Sequence, residues 1–255
     1  MSYLPKNFNL TDVNTHLRNK NIGFVNDKKS SLLDKIFSIL ERFLKNYSAE
    51  KGKLVISEQI IENPLVFRSL LERDKNILDF GAFESILPLQ LSALGYKVTV
   101  LDQRKYPFTH PNLTVLGNDI FSDSLKINKK FDLIISISTI EHMGFGRYGD
   151  GIVEDADKRA ASILWNLVEN NGRLIVSVPA GKPTIQRGYR VYNKKRIYEV
   201  FPNVDNIQWF TKKGREECWE ETNENVIENL VYSTPYGQLP IEGVAFVTCK
   251  KQATC

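Results

Sequence analysis

Residues 76–102 read NILDFGAFESILPLQLSALGYKVTVLD, and this stretch decides the fold. Asn76–Phe80 is a short apolar run of strand character. Gly81 breaks it with a residue free to adopt positive φ. Ser85–Leu94 then reads as a helix, with Ser85 placed to cap it, Pro88 in the tolerated first turn and Gly95 ending it. Lys97–Leu101 is a second strand. A strand, a crossover helix and a second strand form a parallel unit. Working outward, Leu113–Leu116 is a third strand. Phe131–Ile137 is a continuous apolar run, as expected of a central strand covered on both faces. Asp157–Glu169 reads as a helix closed by Asn171-Gly172, Arg173–Val178 as a fifth strand, and Asn193–Phe201 as a short helix. Ile207–Thr211 and Val244–Cys249 are late strands separated by a polar stretch. Alternating strands and helices predict an α/β fold with a doubly wound, mostly parallel sheet, which binds ligands beyond the carboxyl ends of its strands.

Upstream of this unit, residues 1–29 are polar and read as an arm or a partly ordered lid. From Ser30 the pattern turns helical, with Leu33, Ile36, Phe37, Leu40, Phe43 and Leu44 on one face. A second helix is expected over Ser57–Leu71, bent or split by Pro64. The organisation expected is therefore an N-terminal arm and helical extension over residues 1–73, and a sheet domain over 74–255. The net charge of +4 is too small to argue for a nucleic-acid partner. No uncharged apolar stretch is long enough to span a bilayer. The three cysteines all fall late and form no C-x-x-C pair, and the first residues lack the order of a secretory signal. A reducing, cytoplasmic setting is the expectation.

Three strand ends carry ligand-binding chemistry. At the first, Asp79-Phe-Gly81-Ala-Phe83 turns into a helix whose N-terminus presents free N–H groups. At the second, Asp102 supplies a carboxylate suited to both ribose hydroxyls of a nucleoside. At the third lies Gly117-Asn118-Asp119-Ile120, for which a plain Asx turn is the simpler alternative. The dinucleotide pattern is disfavoured, because Phe83 and Ile86 stand where it needs glycines. Asp79 and Gly81 resemble motif I of class I S-adenosylmethionine (SAM)-dependent methyltransferases, although Phe83 and Ser85 stand where further glycines are common. The resemblance implies a Rossmann-like domain with SAM as cofactor. It places Asp79, Gly81, Phe83, Asp102, Asn118 and Ser138 around the cofactor, with Asp119 on the adenine amino group and Ile120 against the ring.

After the fourth strand comes Ser136-Ile-Ser138-Thr-Ile-Glu141-His142-Met-Gly144. His142 can take a proton from an acceptor hydroxyl, with Glu141 orienting it or binding acceptor. The pair could equally cap the turn. A Glu-x-x-Glu-His metal pattern lacks its first carboxylate, since Ser138 stands there, and no metal is expected. The glycine-rich loop that follows contains Arg147, Tyr148 and Asp150, expected to meet substrate. Residues 182–215 hold nine basic against two acidic side chains, and from these Arg187 and Arg190 are expected to hold a phosphate or carboxylate.

STIEHMGFGRYGD, LSALGYKV and HPNLTV together resemble a methyltransferase-like family associated with polysaccharide biosynthesis. That resemblance implies methyl transfer to a hydroxyl of a sugar, glycan or nucleotide-linked small molecule. Two alternatives remain. One is an RNA ribose 2′-O-methyltransferase; exocyclic-amine chemistry is disfavoured because Ser136–Thr139 replaces the Asn/Asp-Pro-Pro-aromatic motif. The other is a non-catalytic binding protein on the same fold, motivated by the missing glycines.

Overall fold

The computed structural model describes residues 57–253 apart from residues 84, 147–152, 187, 214–217 and 233–241. The expected arm and the helix over residues 30–44 lie outside the described residues. The chain from residue 54 onward forms one compact unit.

The first described helix, α1 (Gln59–Ser69), precedes β1 (Asn76–Phe80), α2 (Leu87–Ala93), β2 (Lys97–Asp102), β3 (Leu113–Gly117) and β4 (Phe131–Ile137). A 3-10 turn (Ile140–His142), α3 (Ala156–Leu167) and β5 (Val168–Pro179) follow. The hairpin β6 (Thr184–Gln186) and β7 (Tyr189–Val191), then α4 (Lys194–Val200), β8 (Val204–Thr211), β9 (Glu220–Thr222), α5 (Glu224–Glu228) and β10 (Gly243–Lys250) complete the order. One eight-stranded sheet runs β3-β2-β1-β4-β5-β10-β8-β9. Its first five strands are parallel, whereas β10, β8 and β9 join antiparallel. The expected α/β sheet is present, and β1 and β4 lie side by side although their chains leave in opposite directions. That parting is the switch point at which such sheets open a crevice.

Alternate residues of each strand face opposite layers. Ile77, Leu133, Ile175 and Phe246 pack with Leu65 and Val66 of α1 and Leu87 and Leu91 of α2. Leu78, Ile134, Leu174 and Val176 pack on the other face with Ala160, Ala161 and Leu164 of α3 and Ile197 of α4. Pro64 does not split α1, which continues through it to Ser69. The expected helix end at Glu169 is also revised. The helix stops at Leu167, and Val168 already pairs with Phe131. Asn171 (φ 62°) then forms an irregularity before Arg173 resumes the register opposite Leu133. Among the described residues no helix is long and apolar enough to cross a membrane.

A buried ion pair ties α1 to the sheet. Arg173 of β5 donates from Nη2 to Asp74 Oδ2 at 2.5 Å and from Nη1 to Ser69 O at 2.8 Å, while the same Asp74 oxygen accepts from Leu71 N–H at 2.7 Å. Asp74 is wholly buried. Removing the cation leaves that charge unpaired, so Arg173→Ala is expected to cost about 3–5 kcal/mol. Urea denaturation measures this; a loss below about 1 kcal/mol would show that the pair adds nothing beyond a surface contact.

Candidate functional site

The tips of β1 and β4 are in direct contact. Gly81 has φ 80°, and a Cβ added there would overlap the side chain of Thr139. The missing side chain clears space for the neighbouring strand end. Thr139 Oγ1 donates to Ile137 O at 2.9 Å, fixing the rotamer that fills the gap. Ser138 is also held at positive φ (45°), a strained position for a residue with a Cβ, and its N–H donates to Ser177 Oγ at 3.0 Å. A cavity of about 240 Å³ opens over these tips. It is lined by the ends of β1 to β4, the start of α1 and the 3-10 turn.

At one end, Asp102 Oδ2 accepts the Phe83 N–H at 3.1 Å and Oδ1 accepts the Arg104 N–H at 2.9 Å. The Arg104 guanidinium grips the same carboxylate, Nε to Oδ1 at 3.2 Å and Nη2 to Oδ2 at 3.3 Å, and lies 4.2 Å from the Phe83 ring centre. The backbone N–H of Asn118 reaches Asp102 O at 3.1 Å, so β2 and β3 end in register. Asp119 Oδ1 accepts from Phe121 N–H at 2.9 Å, forming the Asx turn that was the simpler alternative, and Ile120 is buried beside it. Asp79 is buried with Oδ2 unpartnered. Burial, and then the nearby Asp102 charge, push its carboxyl up to about 7.

At the other end stands the 3-10 turn. His142 Nδ1 lies 2.6 Å from Gly188 O at the hairpin tip. A carbonyl only accepts, so Nδ1 carries a proton, and in the neutral ring the lone pair is on Nε2. Nε2 is 3.6 Å from Glu141 Oε1. Glu141 is wholly buried, neither carboxylate oxygen has a hydrogen-bond partner, and burial raises its carboxyl well above the usual range. Glu62 of α1 is equally buried. Its Oε1 accepts from Ser138 Oγ at 2.7 Å, Oε2 has no partner, and burial pushes it up to about 7.

The structure brings Asp79, Gly81, Asp102, Asn118, Asp119, Ile120, Ser138, Glu141 and His142 to the cavity wall. Phe83 is not on that wall; it contributes its N–H to Asp102 and its ring to Arg104. Ser138 reaches the wall, but its hydroxyl is committed to Glu62. Arg190, expected to hold an anion, is also off the wall. Its Nη1 donates to Met143 O at 2.6 Å, its Nε lies 3.9 Å from buried Asp157, and its guanidinium sits 4.4 Å from the Phe145 ring centre, so it braces the turn from behind. Arg147, Tyr148, Asp150 and Arg187 lie outside the described residues. Sequence reasoning missed Arg104, Glu62 and the helix-start residues Glu58, Gln59 and Asn63. The signal for the last group was Glu58 and Glu62 four apart at the start of an apolar helix. Among the described residues no group of three or more His, Cys, Asp or Glu side chains is arranged to hold a metal ion.

Residues 105–232 match the model of a family described as "Caenorhabditis protein of unknown function, DUF268". The chain belongs to this family. The DUF268 match begins just after Asp102 and takes in Asp119, the Glu141-His142 turn and the hairpin behind it. No curated protein matches by sequence. Among solved structures, the chain is similar to Burkholderia thailandensis 1,6-didemethyltoxoflavin-N1-methyltransferase with bound 1,6-didemethyltoxoflavin and S-adenosylhomocysteine (SAH). The identity is 13%, the coverage 88% of this chain and 92% of that one, and the TM-score 0.50. A SAM-dependent methyltransferase from Methanosarcina mazei aligns at 12% identity over 75% of this chain and 98% of that one, with a TM-score of 0.49. At such identity the likeness is one of fold, and this DUF268 chain has the fold of class I methyltransferases.

The raised Glu62 carboxyl has a thermodynamic consequence. Its folded value lies above its unfolded value of 4.5, so the folded state binds the extra proton between 4.5 and about 7. Stability is greatest below this window and falls as pH rises through it, by about 3 kcal/mol for such a shift. Glu62→Gln keeps an acceptor for Ser138 and removes the titration. It is expected to raise the melting temperature at pH 8 and leave it unchanged at pH 4; an equal shift at both would refute the assignment.

Proposed function

We propose that the protein is a SAM-dependent methyltransferase acting on a hydroxyl of a small polar acceptor such as a sugar or glycan fragment. The observation that carries this reading is the convergence of Asp79, Asp102, Asp119 and His142 on one cleft across the switch point. The donor set fits the cofactor. Asp79 has a buried, unpartnered oxygen suited to the amino-acid ammonium. Asp102 is aligned by two main-chain N–H groups, and the Arg104 side chain, about one third exposed, can cede its place on that carboxylate to a ribose diol. Asp119 and Ile120 suit an adenine edge and face.

Bound SAM supplies an electrophilic methyl group on a sulfonium and leaves as a neutral thioether. The chain's own work is to align the acceptor oxygen with that methyl and to receive one proton. His142 Nε2 is the receiving atom, because the Gly188 carbonyl fixes the tautomer from the other side. The Gly188 bond and the Arg190 brace hold the ring and its turn at the edge of the cleft. Carboxylates dominate the described wall, which weighs against a phosphate-rich RNA acceptor. A free exposed thiol at Cys218 and a buried one at Cys249 suit a reducing, cytoplasmic setting.

Asp102→Ala is expected to weaken SAH binding by about tenfold or more in calorimetry. His142→Ala is expected to lower turnover by about 10²–10⁴ while SAH affinity stays near wild type. Unchanged SAH affinity in the first variant, or full turnover in the second, would remove that residue from its role.

A further inference from the structure

Methyl transfer leaves Glu141 unexplained. It lines the cleft, it is wholly buried, and both its oxygens lack a hydrogen-bond partner. A buried carboxyl in that state is costly unless something arrives to meet it. Glu62 presents a second unpartnered oxygen from α1, and Glu58 lies on the cleft wall one turn earlier. These carboxylates interact electrostatically. Among the described residues the cavity wall carries one arginine, Arg104, which grips Asp102. Arg190 reaches the backbone carbonyl of Glu141 at 3.5 Å, and its side-chain partners are Met143 O and Asp157. A purely structural role would be served as well by glutamine or an apolar side chain, without like charges converging. An anionic acceptor would meet repulsion from these carboxylates, whereas a cationic one gains from their charged form.

Resting on the methyl-transfer reading, we propose that the acceptor carries a protonated amine, seated against Glu141 with Glu62 behind it, beside the hydroxyl that faces His142. The substrate class is thus an amino sugar or amino alcohol. The ammonium supplies the missing hydrogen-bond donors and brings a charge opposite to the carboxylate's. The groups facing Glu141 are Glu58 and Glu62 from α1, His142 from its own turn, and Tyr189, Tyr192 and Arg190 from the hairpin side. Without ligand, burial raises the carboxyl well above its ordinary range. Seating an ammonium lowers it again by favouring the carboxylate, so amine binding is linked to proton release.

The test is calorimetric titration of ethanolamine and glucosamine, each against its N-acetyl derivative, into the SAH-saturated protein in two buffers of different ionisation enthalpy. At least one amine is expected to bind about tenfold or more tightly than its acetylated partner, with release of about one proton. Glu141→Gln is expected to abolish both the preference and the proton release while SAH affinity stays within about twofold. Equal binding of amine and amide would overturn the inference. So would the absence of millimolar binding by either amine to protein that binds SAH, or a Glu141→Gln defect confined to SAH, which would assign the carboxylate to the donor. Should wild-type protein fail to bind SAH, the methyl-transfer reading falls by itself, and the same amine and amide pairs titrated into ligand-free protein decide this inference on the same criteria.

Discussion

Two strand tips compete for the same space at the centre of the sheet, and the site follows from how that competition is resolved. Gly81 gives up its side chain so that Thr139 can fill the gap, and it adopts positive φ to turn the chain away toward α2. Ser138 accepts a strained backbone and is repaid by bonds to Ser177 and Glu62. With β1 and β4 locked together at their ends, their continuations must diverge. The divergence opens the crevice and fixes which residues stand on its rim. Asp79 is buried just inside the rim, Asp102 one strand away, and Glu141 and His142 on the turn beyond Thr139.

The electrostatics of the cleft are set by burial more than by ion pairing. Asp79, Glu62 and Glu141 are each driven toward the neutral form by desolvation, and each keeps at least one oxygen without a partner. Only Asp102 is fully engaged, by Arg104 and two main-chain N–H groups. Unsatisfied buried carboxyls cost stability, and protein interiors otherwise avoid them. Asp79 and Glu141 face the cavity itself and Glu62 stands behind it, whereas the buried carboxylates Asp74 and Asp157 each face an arginine, Arg173 and Arg196.

Much of this was legible in the sequence, and the reason is physical. β4 is covered on both faces and reads as a nearly continuous apolar run, β1 and β2 read as short, mostly apolar segments, and the carboxylates near the ends of these strands had to lie at the sheet's carboxyl edge. Asp79, Gly81, Asp102, Asp119 and His142 are all found there. Contributions made through space were not legible. Glu58 and Glu62 look like the solvated side of an amphipathic helix, and only the docking of α1 on the sheet turns them inward. The hairpin strands are three residues each, too short for periodicity to register, yet their tip supplies the carbonyl that orients His142. Arg190 looked like an anion ligand because charge counts do not reveal that a guanidinium is spent on main-chain carbonyls. Arg104 was invisible because an ion pair two residues along depends on the loop conformation.

A crystal structure of the protein grown with SAH tests the central claim most directly. The distance from the ribose oxygens to the Asp102 carboxylate should fall within hydrogen-bond range, about 2.6–3.0 Å. Arg104 should be displaced from that carboxylate, and the adenine should lie against Ile120. A nucleoside bound elsewhere, or an Arg104–Asp102 pair left intact over an empty cleft, would contradict the account.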